Sequence, residues 1–289
     1  MAKQNLYKPF EIEFKQQEQF PPSVKSNNFF ELIYIVEGTG IQYVNKNKFN
    51  YRKGNLFLLT PHDQYSFDIL TATKFFFLRF TKFYLETKKG KDKEAVQQVA
   101  YIIKNASHRP GCILKNKADK PFIASLIENI LQEQTNQQIY FGKITEQIVD
   151  TIITVVARNI ALKLPKNVKE STGEPVLEIL HYIQENIFEP KMLKAENLSK
   201  HLGISLSYLG RYFKKQTGET LQDYILNYKV RMIEIRLLNS DMRINEIAHE
   251  LNFTDESHLN RIFKKLKGMN PSEYRKKNAL PGNTSGAMA

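Results

Sequence analysis

An internal repeat in the last hundred residues constrains the fold of this chain more than any other feature. The two copies share a leucine, an arginine, a phenylalanine, a lysine pair and a glycine at identical spacing, fifty residues apart. These residues are Leu209, Arg211, Phe213, Lys214, Lys215 and Gly218 in the first copy and Leu259, Arg261, Phe263, Lys264, Lys265 and Gly268 in the second. Such self-similarity indicates two copies of one supersecondary unit.

Each copy predicts a short helix, a tight turn and a second helix. In the first copy Gly203 suits a left-handed turn residue and Ser205 suits an N-cap. In the second copy Asn252 takes the turn position, because asparagine tolerates positive φ better than other side chains. Thr254 or Asp255 then caps the following helix. This arrangement is typical of a helix-turn-helix, whose second helix enters the major groove of DNA.

Helical spacing separates a buried side of each second helix from an exposed side that carries polar and basic residues. Arginine matches the edge of guanine, asparagine matches adenine, and lysine reaches phosphate. The predicted DNA-binding residues are Ser207, Gly210, Arg211, Lys214 and Lys215 in the first copy and Glu256, Ser257, Asn260, Arg261, Lys264 and Lys265 in the second. The alternative is that these residues are ordinary solvated helix surface. This interpretation is weaker because two copies carry matched basic faces.

A long helix is predicted between the copies, from Thr220 to about Asn239. Thr220 and Asp223 resemble a capping box. Two apolar stripes indicate that both sides of the helix are covered, as expected for a helix between two subdomains. About 19 residues at ~1.5 Å each give a length of ~28 Å, close to the ~34 Å between successive major grooves.

Composition excludes several classes of protein without locating the DNA surface. The net charge is +12, with +9 in residues 1–173 and only +3 in 174–289, so local placement must carry the DNA argument. A single cysteine, Cys112, excludes an internal disulfide and a cysteine-based zinc site. No signal peptide and no transmembrane stretch is recognisable, so a cytoplasmic protein without membrane contact is expected.

At these residues the sequence resembles the AraC/XylS family of bacterial transcription regulators. Residues 244–275 are similar to the second signature of that family, and the resemblance extends over about 175–278. The resemblance implies base contacts at Ser207, Gly210 and Arg211 in the first copy of the repeat. In the second copy it implies base contacts at Glu256, Ser257, Asn260 and Arg261. The departures are Asn252 for the usual glycine, His258-Leu259 for Tyr-Phe and Ser199 for alanine, and they bear on sequence preference.

Residues 6–85 are rich in aromatic and β-branched residues in short runs broken by turn signals, which predicts a β-sandwich or barrel. Residues 29–38 and 54–61 resemble the cupin-like sensor domains of the same family. The positions of the cupin metal ligands hold Lys25, Asn27, Glu31 and Tyr65, which lack the imidazoles a transition metal needs. No metal and no cofactor is therefore expected, and the barrel is interpreted as a pocket.

The pocket interpretation gives a candidate effector site. If the alternating faces line the barrel, polar side chains would hydrogen-bond a small-molecule effector and aromatic rings would stack on it. The candidate residues are Asn27, Phe29, Glu31, Tyr65 and Phe67. An equally supported alternative is that these residues fill a closed core.

From about residue 91 apolar residues recur every four positions, which indicates amphipathic helices. The overall prediction is an α+β chain with a β domain at 1–90 and a helical dimerisation segment at 91–162 packed on it. A linker at 163–175, a double helix-turn-helix domain at 176–278 and a disordered tail at 279–289 follow. We expect the helices in 120–162 to pair two chains, although packing within one chain explains the same pattern.

The function expected from these features is a sequence-specific DNA-binding regulator rather than an enzyme. The resemblance implies control by an unknown effector and favours activation, with RNA polymerase as a further partner. Two alternatives remain: a cupin-type metalloenzyme with an accessory helical domain, and a protein-interaction module built on degenerate helix-turn-helix units. Stoichiometric metal would favour the first, and DNA binding that falls steeply with salt would exclude the second.

Overall fold

A computed structural model describes residues 6, 8–20, 29–45, 47–61, 63–86, 103, 111–162 and 174–278. Several predicted features lie outside these residues: Asn27, most of the segment 91–110, the linker at 163–173 and the tail at 279–289. The chain divides into two compact units, Met1–Leu177 and Glu178–Ala289. The boundary falls close to the predicted start of the DNA-binding domain at 176.

The described part of the first unit contains seven strands in two antiparallel sheets. The strands are β1 (Phe10–Gln17), β2 (Phe30–Glu37), β3 (Thr39–Val44), β4 (Asn47–Arg52), β5 (Leu56–Leu59), β6 (Tyr65–Ile69) and β7 (Thr73–Phe80). One sheet has the order β1-β7-β2-β5 and the other β4-β3-β6. The predicted β-sandwich is thereby confirmed.

Strand β2 is buried on both faces, which explains its apolar run from Leu32 to Val36. Ile33 and Ile35 point into the space between the sheets, where they pack with aromatic residues of β6 and β7. Leu32 and Tyr34 point to the opposite face and pack in a second cluster. Successive side chains of a strand alternate between faces, so a central strand covered on both sides has no polar face.

Helices cover the outer face of the four-stranded sheet. Described helices here are α1 (Lys82–Glu86), α2 (Asp119–Asn136) and α3 (Phe141–Ala161). Ile127 of α2 and Ile152 of α3 share a buried cluster with Leu32 and Leu78 of the sheet. These helices therefore pack on the β domain. The stripes are buried only in part, since Phe122 and Ile144 at their beginnings are exposed.

The second unit is helical in its described part. The helices are α4 (Glu174–Glu185), α5 (Ala195–Leu202), α6 (Leu206–Thr217), α7 (Leu221–Asn239), α8 (Ile244–Glu250), α9 (Glu256–Lys267) and α10 (Pro271–Asn278). The last two residues of the predicted linker therefore belong to α4. Helix α7 contacts α6 on the one hand and α8 and α10 on the other. Burial of Tyr228, Val230 and Leu237 on it confirms that both apolar stripes are covered.

Candidate functional site

The first helix-turn-helix consists of α5, a tight turn and α6. Gly203 has φ +65°, the left-handed conformation predicted for it. The Ser205 hydroxyl accepts a hydrogen bond from the Tyr208 amide at 3.3 Å and so caps α6. Ser199, where relatives of the resembled family carry alanine, donates its hydroxyl to the Ile204 carbonyl across the turn. The predicted turn and cap are confirmed, and the serine adds a hydrogen bond to them.

The second helix-turn-helix consists of α8, a turn and α9. Asn252 has φ +55°, and its side-chain amide donates to the Phe188 carbonyl at 2.8 Å. Of the two predicted caps, Asp255 is the one used, since its carboxylate accepts from the His258 amide at 2.7 Å. Thr254 is the extra residue of this copy, and it lies in the turn before α9 begins. The second helices of the two copies, α6 and α9, thus begin and end at equivalent positions; we call them the recognition helices.

The predicted buried and exposed sides of α6 and α9 are observed. The paired core residues of the two helices, Leu209, Phe213, Leu259 and Phe263, are fully buried. The predicted DNA-binding residues are exposed in both copies, with one exception. Asn260 is half-buried, and its Oδ1 is buried without a hydrogen bond to any described residue. Because a bidentate adenine contact needs both amide atoms, this geometry departs from the adenine contact expected of Asn260.

The exposed side of each recognition helix is basic and available to an anion. Lys214, Lys215, Lys264 and Lys265 are exposed and form no ion pair within the described part of the chain. Arg211 is also exposed, and its Nε donates to the Ser207 carbonyl one turn earlier at 3.2 Å. Lysine and arginine in such positions are the residue types that contact phosphates and base edges in the major groove.

Polar contacts fix α7 to its neighbours. Gln184 of α4 donates to the Tyr224 hydroxyl at 3.1 Å. Lys229 donates from Nζ to the Leu251 carbonyl at 2.7 Å and lies over the Phe253 ring. Burial lowers the pKa of the Lys229 ammonium. These contacts hold α7 against α4 and against the turn of the second helix-turn-helix.

An ion pair and a shared carboxylate join α7 to the second helix-turn-helix. Arg236 is buried and binds both carboxylate oxygens of Glu250 in α8, at 2.7 and 3.1 Å. Glu234 accepts from the Tyr274 hydroxyl at 2.8 Å and pairs with Lys267 at 2.7 Å. Burial, together with the hydrogen bond to Glu234, raises the pKa of Tyr274 to about 12. None of these residues was among the predicted functional residues, although Arg236 stands out in the sequence as a charged residue inside an apolar stripe.

In the first unit, Glu31 and Tyr65 of the predicted effector site meet inside the sandwich. The Tyr65 hydroxyl donates to Glu31 Oε2 at 2.6 Å, and Arg79 Nε donates to Glu31 Oε1 at 2.7 Å. Arg79 also pairs with Glu13 at 2.8 Å and Glu11 at 3.1 Å. Burial by itself lowers the pKa of the Arg79 guanidinium, but the charges and hydrogen bonds of Glu31 and Glu13 together outweigh burial, so the pKa is raised. The contact of Arg79 with Glu31 was not predicted from the sequence, because only strand pairing brings β7 beside β2.

The aromatic members of that predicted site are buried among other side chains. Phe67 packs against the rings of Tyr51, Tyr65 and Phe75, with centroid distances from 5.1 to 5.9 Å. The half-buried Phe20 lies 5.0 Å from the Phe67 ring. Phe29 is buried, and Asn27 lies outside the described residues. The structure thus brings the polar pair together within an aromatic interior.

Other kinds of site have no candidate in the described ranges. No group of three or more histidine, cysteine, aspartate or glutamate side chains is placed to hold a metal ion there. Among the helices of those ranges, none has the length and apolar character needed to cross a membrane.

Comparison with known protein families finds two matches in this chain. Residues 12–81 match an AraC-like ligand binding domain, and residues 198–277 match a helix-turn-helix domain. The first match covers the strands of the sandwich, and the second covers most of α5 through α10.

Individual relatives support the same division. The multiple antibiotic resistance protein MarA of Escherichia coli is 35% identical over 100 residues, which are 35% of this chain and 77% of MarA. The Msm operon regulatory protein of Streptococcus mutans is 22% identical over 89% of this chain and 87% of its own length. The transcriptional activator RhaS of Mannheimia succiniciproducens is 24% identical over 90% of both chains.

Proposed function

The chain belongs to the AraC/XylS family of transcription regulators, and from this premise we propose that it activates transcription when a small molecule occupies its first unit. It is a DNA-binding regulator with an N-terminal ligand-binding domain. We place its action in the cytoplasm, where bacterial DNA lies. The observation that carries the proposal is the matched pair of capped helices, α6 and α9, with exposed basic sides.

The proposed DNA contacts follow from that pair of helices. Arg211 and Arg261 lie at equivalent positions, on the exposed side of the N-terminal halves that enter the major groove in a helix-turn-helix. The lysine pairs that follow, at 214–215 and 264–265, are proposed to contact phosphates. Arg261 is expected to read a base edge, whereas Gly210 leaves the first helix with fewer base contacts than the second.

An affinity measurement tests this assignment. A duplex selected from random DNA by the full chain serves as the probe in a gel-shift assay. Replacing Arg211 and Arg261 by alanine should lower affinity by about 1–3 kcal/mol for each arginine that binds a base edge through two hydrogen bonds. Arg52→Ala, which removes an exposed arginine from the first unit, is the matched control and should leave affinity unchanged. Equal affinities of the double variant and the control would contradict the assignment.

The effector is proposed to bind inside the sandwich, near Glu31 and Tyr65. Support comes from the ligand-binding family match over residues 12–81 and from the buried polar cluster that these side chains form with Arg79. Phe67 lines the same interior, and we include the predicted Phe29 and Asn27 in the proposed site. Apolar walls with a few placed polar groups are usual in small-molecule sites.

A homodimer is proposed through the helices in 120–162. Large apolar side chains are exposed around the turn between α2 and α3, where Ile139 is 82% and Tyr140 is 76% exposed. Phe141 and Ile144 are exposed in the first turn of α3, next to this turn, and Phe122 is exposed near the start of α2. Contiguous exposed apolar surface marks sites of protein association, and the occupant proposed here is a second copy of the chain.

Sedimentation measurements test the dimer. Ile139→Glu should shift the full chain toward the monomer, because a carboxylate cannot be buried unpaired at an apolar interface. Leu70→Glu is the control, since Leu70 is 71% exposed but lies in the turn between β6 and β7. A wild-type chain that sediments as a monomer at all concentrations would remove this part of the proposal.

Activation implies contact with RNA polymerase. The support is that RhaS, similar over 90% of this chain, is a transcriptional activator. Transcription in vitro from a promoter carrying the selected site should rise on adding the regulator and its effector. A fall in transcript would make the chain a repressor and leave the DNA contacts standing.

We also infer that the chain is not an enzyme, because its relatives are regulators of transcription. If the chain were instead a cupin-type metalloenzyme, the purified protein would contain stoichiometric iron, manganese or zinc. Metal analysis of the full chain decides between the two, and a metal-loaded sandwich would favour the enzyme.

A further inference from the structure

The first recognition helix, α6, carries an exposed leucine at its N-terminal end. Leu206 is the first residue of α6 and is 48% exposed. Its neighbours Ser205 and Ser207 are exposed as well, so this end of the helix projects into solvent. The N-terminal residues of a recognition helix are the ones that reach base edges in the major groove. A leucine at this end can contact a base only through apolar surface, because its side chain has no hydrogen-bonding group.

The internal repeat places Leu206 at a position where the second copy has a predicted base contact. Leu209 corresponds to Leu259, so Leu206 corresponds to Glu256, the first residue of α9. Glu256 is exposed and is one of the DNA-binding residues predicted from the sequence, whereas Leu206 is not. The two recognition helices therefore begin with side chains of opposite character, one apolar and one anionic, at the same place in the motif.

The surface of α6 beside Leu206 is open. Gly210 lies four residues later on the same side of the helix, and apart from the helix backbone no atom lies within 4 Å of the point where its Cβ would stand. Asn260 fills the equivalent position in α9. The neighbouring row on α6 holds Ser207 and Arg211, whose Nε donates to the Ser207 carbonyl at 3.2 Å. A small group on a base can therefore approach the helix at Gly210 and contact Leu206 at the same time.

The chemistry of base edges identifies the group that fits beside Leu206. Of the four bases, only thymine presents an apolar group in the major groove, its C5 methyl. Contact between that methyl group and the exposed leucine removes apolar surface of both from water. The Glu256 carboxylate at the equivalent position only accepts hydrogen bonds, so it fits the N4 amino group of cytosine instead.

We propose that Leu206 contacts the C5 methyl of a thymine, in the open space beside Gly210, and so sets the base preference of the first recognition helix. This inference rests on the proposed DNA contacts of α6 and α9, and it adds a residue and its base to them. Because Leu206 and Glu256 match different bases, the two recognised DNA segments differ in sequence, and the operator is directional rather than palindromic.

Deoxyuridine scanning of the selected duplex tests this contact. Each thymine is replaced singly by deoxyuridine, which removes the C5 methyl and keeps the base pair. At one thymine this change should lower the affinity of the wild-type chain about fourfold, the equivalent of ~0.8 kcal/mol for one buried CH₂ group. Leu206→Ala should bind the thymine and deoxyuridine duplexes equally at that position, because its side chain ends at Cβ.

Two further variants separate this contact from a general effect of losing a leucine. Leu266→Ala is the matched control, because it removes a leucine that is 41% exposed in the last turn of α9, and it should keep the fourfold discrimination. Leu206→Glu introduces the side chain of the second copy. A duplex selected anew from random DNA by Leu206→Glu should therefore no longer prefer thymine at that position and should carry cytosine there.

The possible results distinguish this inference from the function on which it rests. If no thymine shows a discrimination that Leu206→Ala abolishes, the inference is overturned, even where Arg211→Ala with Arg261→Ala still lowers affinity. It is also overturned if Leu206→Ala binds every duplex like the wild type and loses only transcription, since Leu206 would then meet a protein. A wild-type chain that selects no sequence would overturn the proposed function, and this inference with it.

Discussion

Gly203 and Gly210 lie seven residues apart in the first helix-turn-helix, and both have open space where a Cβ would stand. They differ in backbone conformation. Gly203 has φ +65° at the turn after α5, whereas Gly210 lies inside α6 with ordinary helical geometry. Only the first position requires glycine for its conformation, because left-handed backbone is unfavourable for residues with a Cβ.

Alanine at these two positions should therefore change stability in opposite directions. Gly210→Ala should stabilise the fold by about 0.5–1 kcal/mol through better helix propensity. Gly203→Ala should destabilise it by about 1–2 kcal/mol, because alanine must adopt the left-handed conformation. Thermal and urea unfolding of the two variants measure this difference, and shifts of the same sign would show the explanation to be wrong.

Asn252 performs the turn role in the second copy and adds a hydrogen bond to the Phe188 carbonyl, which a glycine cannot make. Asn252→Ala should lower the free energy of unfolding by about 1–2 kcal/mol, since it loses both the hydrogen bond and a residue tolerant of positive φ. Asn252→Gly should cost less, because only the hydrogen bond is lost. Urea unfolding ranks the three proteins, and a glycine variant less stable than the alanine variant would contradict this reasoning.

At the scale of the elements, α7 is held by contacts that join residues far apart in the sequence. The bidentate pair between Arg236 and Glu250 is largely buried, so each charge depends on the other. Removing one member takes this bidentate contact from the buried charge of the other, which is far less favourable than removing both charges.

A double-mutant cycle on this pair should show strong coupling. Arg236→Leu or Glu250→Leu alone should cost about 3 kcal/mol, and the double variant should cost less than the sum of the two. The control is the exposed pair of Lys143 and Glu146 on α3, whose Nζ and Oε2 atoms lie 3.3 Å apart. Removing this pair should change the free energy of unfolding by no more than about 0.5 kcal/mol. Additive effects at Arg236 and Glu250 would mean that the ion pair is not energetically coupled.

The sequence predicted local features of these elements well and distant contacts poorly. Caps, turn residues and the buried sides of α6 and α9 depend on residues a few positions apart, which a pattern contains. The contact between Tyr274 and Glu234 joins two helices across 40 residues, and no local pattern encodes it. The same holds for Arg79, whose place beside Glu31 depends on β7 lying next to β2.

At the scale of the whole molecule, the net charge of +12 does not identify the surface that meets DNA, because most of the excess lies in the first 173 residues. We propose instead that the exposed lysine pairs on α6 and α9 mark this surface, since they form no ion pairs within the described residues. Charge placement therefore carries more information than total charge.

The salt dependence of DNA affinity should distinguish lysines on the recognition helices from basic residues elsewhere on the chain. Lys214→Ala with Lys215→Ala should reduce the log–log slope of affinity against salt by about 0.9 for each phosphate that the lysines neutralise. The matched control, Arg52→Ala with Lys53→Ala, removes two exposed positive charges at the end of β4 in the first unit and should leave the slope unchanged. Equal changes in slope would indicate that total charge, rather than the recognition helix, sets the affinity.

Helix α7 runs for 19 residues between the two helix-turn-helix units, and its length cannot change without breaking its buried stripes and its ion pair. With the DNA contacts proposed above, α7 would therefore fix the spacing between the two DNA segments that α6 and α9 contact. Inserting about five base pairs between the two recognised segments would turn the second one to the far side of the duplex, about half a helical turn away. We therefore expect promoters under its control to keep the helical phasing of those two segments, while the bases between them vary more freely.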